Sequence, residues 1–334
     1  MNPIEVVYDG GLGRWVVARV AQRGTQTFIE YTDDHLARGA ELAPPRHTTS
    51  DRARAYRGRE VDQLPGLIAD SLPGSWGRLV LRRDMRRHHF EQPTPLQMLT
   101  WLGRSTMGAL AYRPARGPDL EDTPLVDLDR VQREALRHLG GPRRVEEAAD
   151  RLPRVAGSVA GGMRPKIAAA FSADGTLAVD NGTVPAGATP RLVKPHAQHH
   201  PDCLSAIEAT WLFTMKATAG VTTCEHRLLT GSSGTTYLAV RRFDRLAVAD
   251  GQPLRLHMAT AAGLLEAYPQ HGQHLCYVEL MRLTRFPAGD VRDVEEVCAV
   301  PCSTSSPTTA MTMRATSPVC GRTGSDSIWP PPST

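Results

Sequence analysis

No stretch of about 18 consecutive apolar residues occurs in the chain, so no segment reads as a membrane-spanning helix. The first residues, Met1-Asn2-Pro3-Ile4-Glu5, lack the basic and apolar regions of an export signal. Six cysteines in 334 residues are too few for a disulfide scaffold. Together these absences predict a cytoplasmic protein with no membrane partner. An excess of one charge is missing as well. With 39 Lys+Arg against 35 Asp+Glu, the net charge of +4 implies no nucleic-acid or membrane partner unless a local patch supplies one. No GxSxG elbow, Ser/His/Asp pattern, P-loop spacing or GxGxxG fingerprint is present. Asparagine is absent after Asn181, and the only carboxylate after Glu296 is Asp326.

What is present is an ordinary globular composition, 41% hydrophobic and 22% charged, in a chain long enough for two or three domains. Residues 1–115 begin with three strand-like runs, Val6 to Tyr8, Trp15 to Val20 and Thr27 to Tyr31, separated by glycine-rich turns. From Leu64 to His89 the spacing of Leu67, Ile68, Leu72, Leu79 and Val80 predicts helix, with Trp76 as a core anchor. The basic stretch Arg82-Arg83-Asp84-Met85-Arg86-Arg87-His88-His89 on that helix is either a solvated face or a contact for nucleic acid or an acidic partner. Residues 116–155 read as a linker followed by charged helical sequence.

Chemistry concentrates in residues 156–296. Ala156 to Lys166 is rich in small residues, with Gly161 and Gly162 paired and Lys166 leading into the apolar run Ile167 to Phe171. Glycines let backbone N–H groups approach an anion, and a lysine balances its charge. Arg191 to Pro195 reads as a strand ending in Lys194. Ala206 to Met215 then reads as a helix carrying one acid, Glu208, and Thr235 to Arg245 as a strand entering a polar turn. A kinase-type ATP site needs these parts in this order: a loop over the phosphates, a lysine on them, a glutamate holding the lysine and a hinge. Two groups, His196, His199, His200 with Cys203, and His271, His274 with Cys276, could suggest a metal, but neither has a second pair at zinc-site spacing.

Several motifs make a resemblance specific. Phe28-Ile29-Glu30-Tyr31, Leu64 to Pro73, Ser75-Trp76-Gly77-Arg78, Leu102-Gly103-Arg104, Met107-Gly108-Ala109-Leu110, Gly161 to Lys166 and Val240 to Arg245 occur in the order found in HipA proteins. The chain thus resembles the HipA family of bacterial serine/threonine protein kinase toxins, the kinase half of type II toxin–antitoxin pairs. The resemblance implies an α+β fold with a strand-rich N-terminal subdomain and a kinase-like ATP-binding core, here without most of the helical C-terminal lobe. It also implies transfer of the ATP γ-phosphate, with Mg2+, to a protein such as an aminoacyl-tRNA synthetase. The implied partner is a HipB-like helix-turn-helix antitoxin, through which DNA is met only indirectly. By position, Gly161, Gly162, Met163, Arg164, Pro165 and Lys166 would contact phosphates, and Lys194 would join them. Arg241, Arg242 and Phe243 would form the adenine hinge, and Glu208 would hold the lysine. Where the family has an autophosphorylated serine this chain has Val159, with Ser158 one place early.

Residues 297–334 break the pattern. They are rich in Ser, Thr, Pro and Cys, without periodicity, and are expected to be disordered. A kinase needs an aspartate for the substrate hydroxyl, then an asparagine and a second aspartate on magnesium, and this tail has no such set. A frameshift near Val297 accounts for it: Met311 and Thr312 must be encoded ATG-ACN, which read two bases later gives aspartate. With GC-rich codons, residues 302–318 then read as a HipA-like catalytic loop. The expected outcome is a HipA-like kinase toxin with little or no catalysis in this chain. A pseudokinase binding module and a nucleic-acid-binding protein are the other classes left open.

Overall fold

The computed structural model describes residues 3–24, 26–43, 50–56, 63–118, 127–139, 166–195, 203–248, 251–266, 276–288, 294–295 and 297. The chain forms two compact units that interleave in sequence. One takes residues 1–71, 107–115 and 255–334, the other 72–106 and 116–254. The α+β class expected from the sequence is the one found.

The first unit is built on a five-stranded antiparallel sheet. Strands β1 (Ile4–Gly10) and β2 (Gly13–Arg23) form a hairpin closed by the Gly10–Gly13 pair, with Gly13 at φ 117°. A residue with a side chain rarely adopts that angle, so glycine is the natural choice there. A bulge between Val6 and Val7 turns both side chains into the core, where each is 1% exposed. β3 (Gln26–Tyr31) and β4 (Arg54–Tyr56) extend one edge, and β5 (Leu110–Arg113) pairs with the other side of β1. Trp15 stacks on Tyr8 with ring centroids 4.1 Å apart, and its indole N–H donates to His35 Nδ1 at 3.1 Å. His35 sits on α1 (Asp33–Arg38), whose first turn is capped by Thr32.

Late sequence completes this unit. Arg255 donates from Nε to the Gly108 carbonyl at 3.0 Å and from Nη2 to that of Leu110 at 2.9 Å. Helix α2 (Gly66–Ala69) meets a helix of residues Ala261–Leu265 so closely that the backbones of Gly66 and Gly263 touch. Asp70, just after α2, accepts hydrogen bonds from Thr260 N at 2.6 Å and Thr260 Oγ1 at 2.7 Å. Burial still outweighs these bonds and pushes the Asp70 carboxyl up to about 7. An acid whose folded pKa is raised binds protons more tightly in the folded chain. Its contribution is therefore complete below about pH 4 and is lost as pH rises toward about 7. Asp70→Asn keeps the shape, and its amide can serve both Thr260 groups. The variant should lose the part of the stability decline between pH 4 and 7 that the parent shows in chemical denaturation; an unchanged pH profile would exclude this residue as its source.

The second unit contains α3 (Ser75–Arg87) and α4 (Pro95–Leu102). Thr94 and Gln97 form a reciprocal capping box at the start of α4, with Pro95 at its first position. The Trp101 indole N–H donates to Asp84 Oδ2 at 2.9 Å, tying α4 to α3. A second sheet has the order β7-β6-β8-β10-β9, made of β6 (Ile167–Phe171), β7 (Leu177–Val179), β8 (Thr189–Lys194), β9 (His226–Thr230) and β10 (Thr236–Arg241). Every residue of β6 is buried, and Ala169, Phe171, Leu177, Val193, Tyr237 and Ala239 form one core cluster.

Helix α5 (Leu128–Leu139) is pinned to the β9–β10 turn by one side chain. The Asp129 carboxylate accepts from Ser232 Oγ, Ser233 N, Ser233 Oγ and Tyr237 Oη, all within 2.6 to 2.8 Å. Those donors, Ser232 first and Tyr237 next, hold its pKa well below the usual carboxylate range.

One element differs from the sequence expectation. The helical pattern from Leu64 to His89 is cut into α2 and α3 by residues 70–74, where Pro73 disfavours helix at Leu72. The strand entering a polar turn expected over Thr235 to Arg245 is found: β10 ends at Arg241, and Phe243 and Asp244 form the turn. The anticipated linker of residues 116–155 contains α5 in its described part. The tail from residue 298 onward lies outside the described residues, and Val297 just before it is 2% exposed.

Candidate functional site

Lys194 is the last residue of β8, opposite Leu238 on β10. Alternation puts it on the same face as Leu192 and opposite to the buried Val193. Helix α6 (Leu204–Ala219) packs on β9 and β10 and carries Glu208 one turn from its start. There the Lys194 ammonium donates to Glu208 Oε1. The two side chains keep 20% and 24% of their surface exposed, so the pair is sheltered yet open to a small ligand. α6 itself is apolar but little covered: Ile207, Trp211 and Phe213 are exposed, and only Ser205 and Met215 are buried.

The other expected residues fall into three groups. Gly161, Gly162, Met163, Arg164 and Pro165 lie outside the described residues. Lys166 is half-buried directly before β6. Ile167, directly after Lys166, pairs with Val193, directly before Lys194.

Arg241 ends β10 opposite Arg191, three places along the strand from the Lys194 partner Leu238, and Arg242 and Phe243 follow it. Arg241 Nη1 sits 3.6 Å from Glu225 Oε2, and Phe243 is half-buried in the turn. The Arg242 side chain is 2% exposed and fully engaged. It donates from Nη1 to Asp180 Oδ2 at 2.8 Å, and from Nε and Nη2 to the Asp244 carboxylate at 3.0 and 2.8 Å. Arg245 joins through Asp244 Oδ2 at 2.7 Å and the Thr106 carbonyl at 3.0 Å. Burial works against the charge on Arg242, but Asp244 and Asp180 outweigh it and hold the guanidinium protonated more firmly than usual. Arg245 is pushed down to about 10, first by burial and then by Arg242. The Arg242 guanidinium therefore braces the turn and has no free donor face for adenine. Sequence reading missed Asp180 and Thr106. Their partners Arg242, Asp244 and Arg245 are visible in the Arg-Arg-Phe-Asp-Arg string, but nothing local says the string is buried.

Among the described residues no group of three or more His, Cys, Asp or Glu is placed to hold a metal. Cys203 and Cys276 are free and exposed, and the histidines grouped with them in the sequence lie outside the described residues. The donor set that magnesium would need is likewise not found among the described residues.

Comparison with known proteins decides the family. Residues 9–113 match the HipA N-terminal domain, and residues 158–301 match the HipA-like C-terminal domain. The chain belongs to the HipA family. The second HipA match ends five residues beyond Glu296, where the sequence changes character. No curated protein matches the sequence. Among solved structures, HipA of Shewanella oneidensis, determined with HipB and its operator DNA, shares the fold with a TM-score of 0.59 and 18% identity. The alignment covers 88% of this HipA-family chain and 67% of that chain. No described helix is long and apolar enough to cross a membrane.

Proposed function

We propose that this HipA-family chain is the toxin-side member of a toxin–antitoxin pair, binding the phosphates of ATP at Lys194 and a HipB-like helix-turn-helix antitoxin elsewhere. The observation that carries the nucleotide reading is the Lys194–Glu208 pair at the end of β8. A carboxylate that fixes the lysine lets it meet an anion in one orientation, which is the part such a pair plays in phosphoryl-transfer sites. The operator complex of the Shewanella HipA supports the antitoxin as partner.

In the family's reaction the γ-phosphate passes to a serine or threonine of a protein, such as an aminoacyl-tRNA synthetase, with Mg2+ neutralising charge. In this chain, residues after Glu296 offer one carboxylate, Asp326, and no asparagine. We therefore assign it nucleotide and antitoxin binding with little or no transfer.

ATP should raise the melting temperature of the parent. Lys194→Ala removes a charged donor worth about 1.5–3 kcal/mol, so nucleotide affinity should fall roughly 10- to 100-fold. Glu208→Gln, which keeps the lysine and loosens it, should fall between the two. A parent that melts identically with and without ATP defeats the nucleotide reading. Robust transfer of labelled phosphate, lost in Lys194→Ala, defeats the claim of no transfer.

A further inference from the structure

We infer that the outward face of α3 is a docking surface for the phosphate backbone of duplex DNA. The inward face is fixed by Trp76, Val80, Leu81, Asp84 and Met85, all buried. Asp84 is the only carboxylate of the helix, and it is spent on the Trp101 indole. Facing away from that core are Arg82, Arg86 and Arg87, followed by His88 and His89, all exposed, with Arg78 and Arg83 half-buried between them. Arg82 and Arg86 are the exposed pair at the centre of this row.

Helix energetics do not ask for this arrangement. Arg78 with Arg82, Arg82 with Arg86, and Arg83 with Arg87 are like charges four residues apart. Each such pair disfavours a helix by about 0.2–0.5 kcal/mol. Arg86 and Arg87 complement the negative end of the helix dipole, but Arg78 and Arg82 are too far from it to do so. Burial and the neighbouring Arg86 hold the Arg83 guanidinium below its usual pKa, so the crowding is felt.

Spacing and chemistry favour phosphate. Residues four apart rise about 6 Å along the helix, a spacing on the scale of neighbouring phosphates along one DNA strand. A rigid row of planar, forked donors suits phosphate oxygens, which repeat at fixed intervals. Charge is presented by a helix locked through Trp76 and Trp101, so little ordering is needed on binding.

The test is fluorescence anisotropy of the full chain with an arbitrary-sequence duplex at a series of salt concentrations. Three to four phosphate contacts predict a slope of log affinity against log salt of about −3. Arg82→Glu/Arg86→Glu should weaken binding at least tenfold. Arg23→Glu/Arg52→Glu makes the same change of net charge at exposed sites outside α3, and should leave binding within about twofold. Arg82→Lys/Arg86→Lys should retain the salt slope. Circular dichroism identifies any unfolded variant, for which Arg82→Ala/Arg86→Ala takes its place. Equal weakening by the Arg23/Arg52 control would overturn the assignment, leaving net charge as the cause. So would poly-glutamate binding as tightly as the duplex, which would mark an acidic protein as the occupant, or the absence of salt-dependent binding.

Discussion

Asp244→Asn should cost the second unit about 3–5 kcal/mol, the range for removing one partner from a buried ion cluster. The Asp244 carboxylate accepts from Arg242 and from Arg245, and is itself fully buried. Without its charge, two buried guanidinium groups face Asp180 alone. The neutral amide keeps the volume but also turns an acceptor into a donor aimed at other donors. Against a total stability of about 5–15 kcal/mol, such a loss leaves much of the protein unfolded at 37 °C. The urea midpoint followed by circular dichroism measures it. A loss below about 1 kcal/mol would mean that water reaches the cluster and screens it. Exposed Arg38 and Asp34, paired at 3.0 Å on α1, provide the contrast: Asp34→Asn should change the midpoint little.

Gly66→Ala should be as damaging through sterics alone. A Cβ at Gly66 would lie 1.8 Å from the Gly263 carbonyl oxygen and 2.5 Å from its carbon. Both are backbone atoms, so neither can swing aside, and the two short helices must separate. Overpacking a well-filled core usually costs about 1–3 kcal/mol, and a clash of backbone on backbone belongs at or above the top of that range. Gly263→Ala would meet the Asp70 carboxylate at 2.2 Å, a side chain that can rotate away at the expense of its bonds to Thr260. The thermal melt should therefore rank the parent first, Gly263→Ala next and Gly66→Ala last. A Gly66→Ala protein melting with the parent would mean that the helices do not approach this closely.

The parts legible in the sequence were those with a local signature. Alternating apolar residues marked β1, β2 and β3, and the alanine-rich run after Lys166 marked β6. The order of strand lysine and helix glutamate was enough to anticipate the Lys194–Glu208 pair, because a strand end and a helix turn need only a short connector to meet. Long-range partnerships left no such trace. Asp180 lies 62 positions from Arg242, and Thr106 lies 136 positions away. An arginine in a turn reads as solvated unless its distant acids are known, so the burial of the Arg242 side chain is not legible in the sequence. Asp129 was invisible for the same reason, since its partners Ser232, Ser233 and Tyr237 are more than a hundred residues on.

The interleaving of the two units has a consequence for how the protein is made. The first sheet needs Arg255 to satisfy the carbonyls of Gly108 and Leu110, and Asp70 needs Thr260. A ribosome emits β5 and must then translate residues 116–254 of the second unit before Arg255 emerges. At about 5–20 residues per second that interval is on the order of ten seconds. During it the nascent N-terminal sheet is held by its own strands alone, while the later unit has all its parts in hand and can finish first.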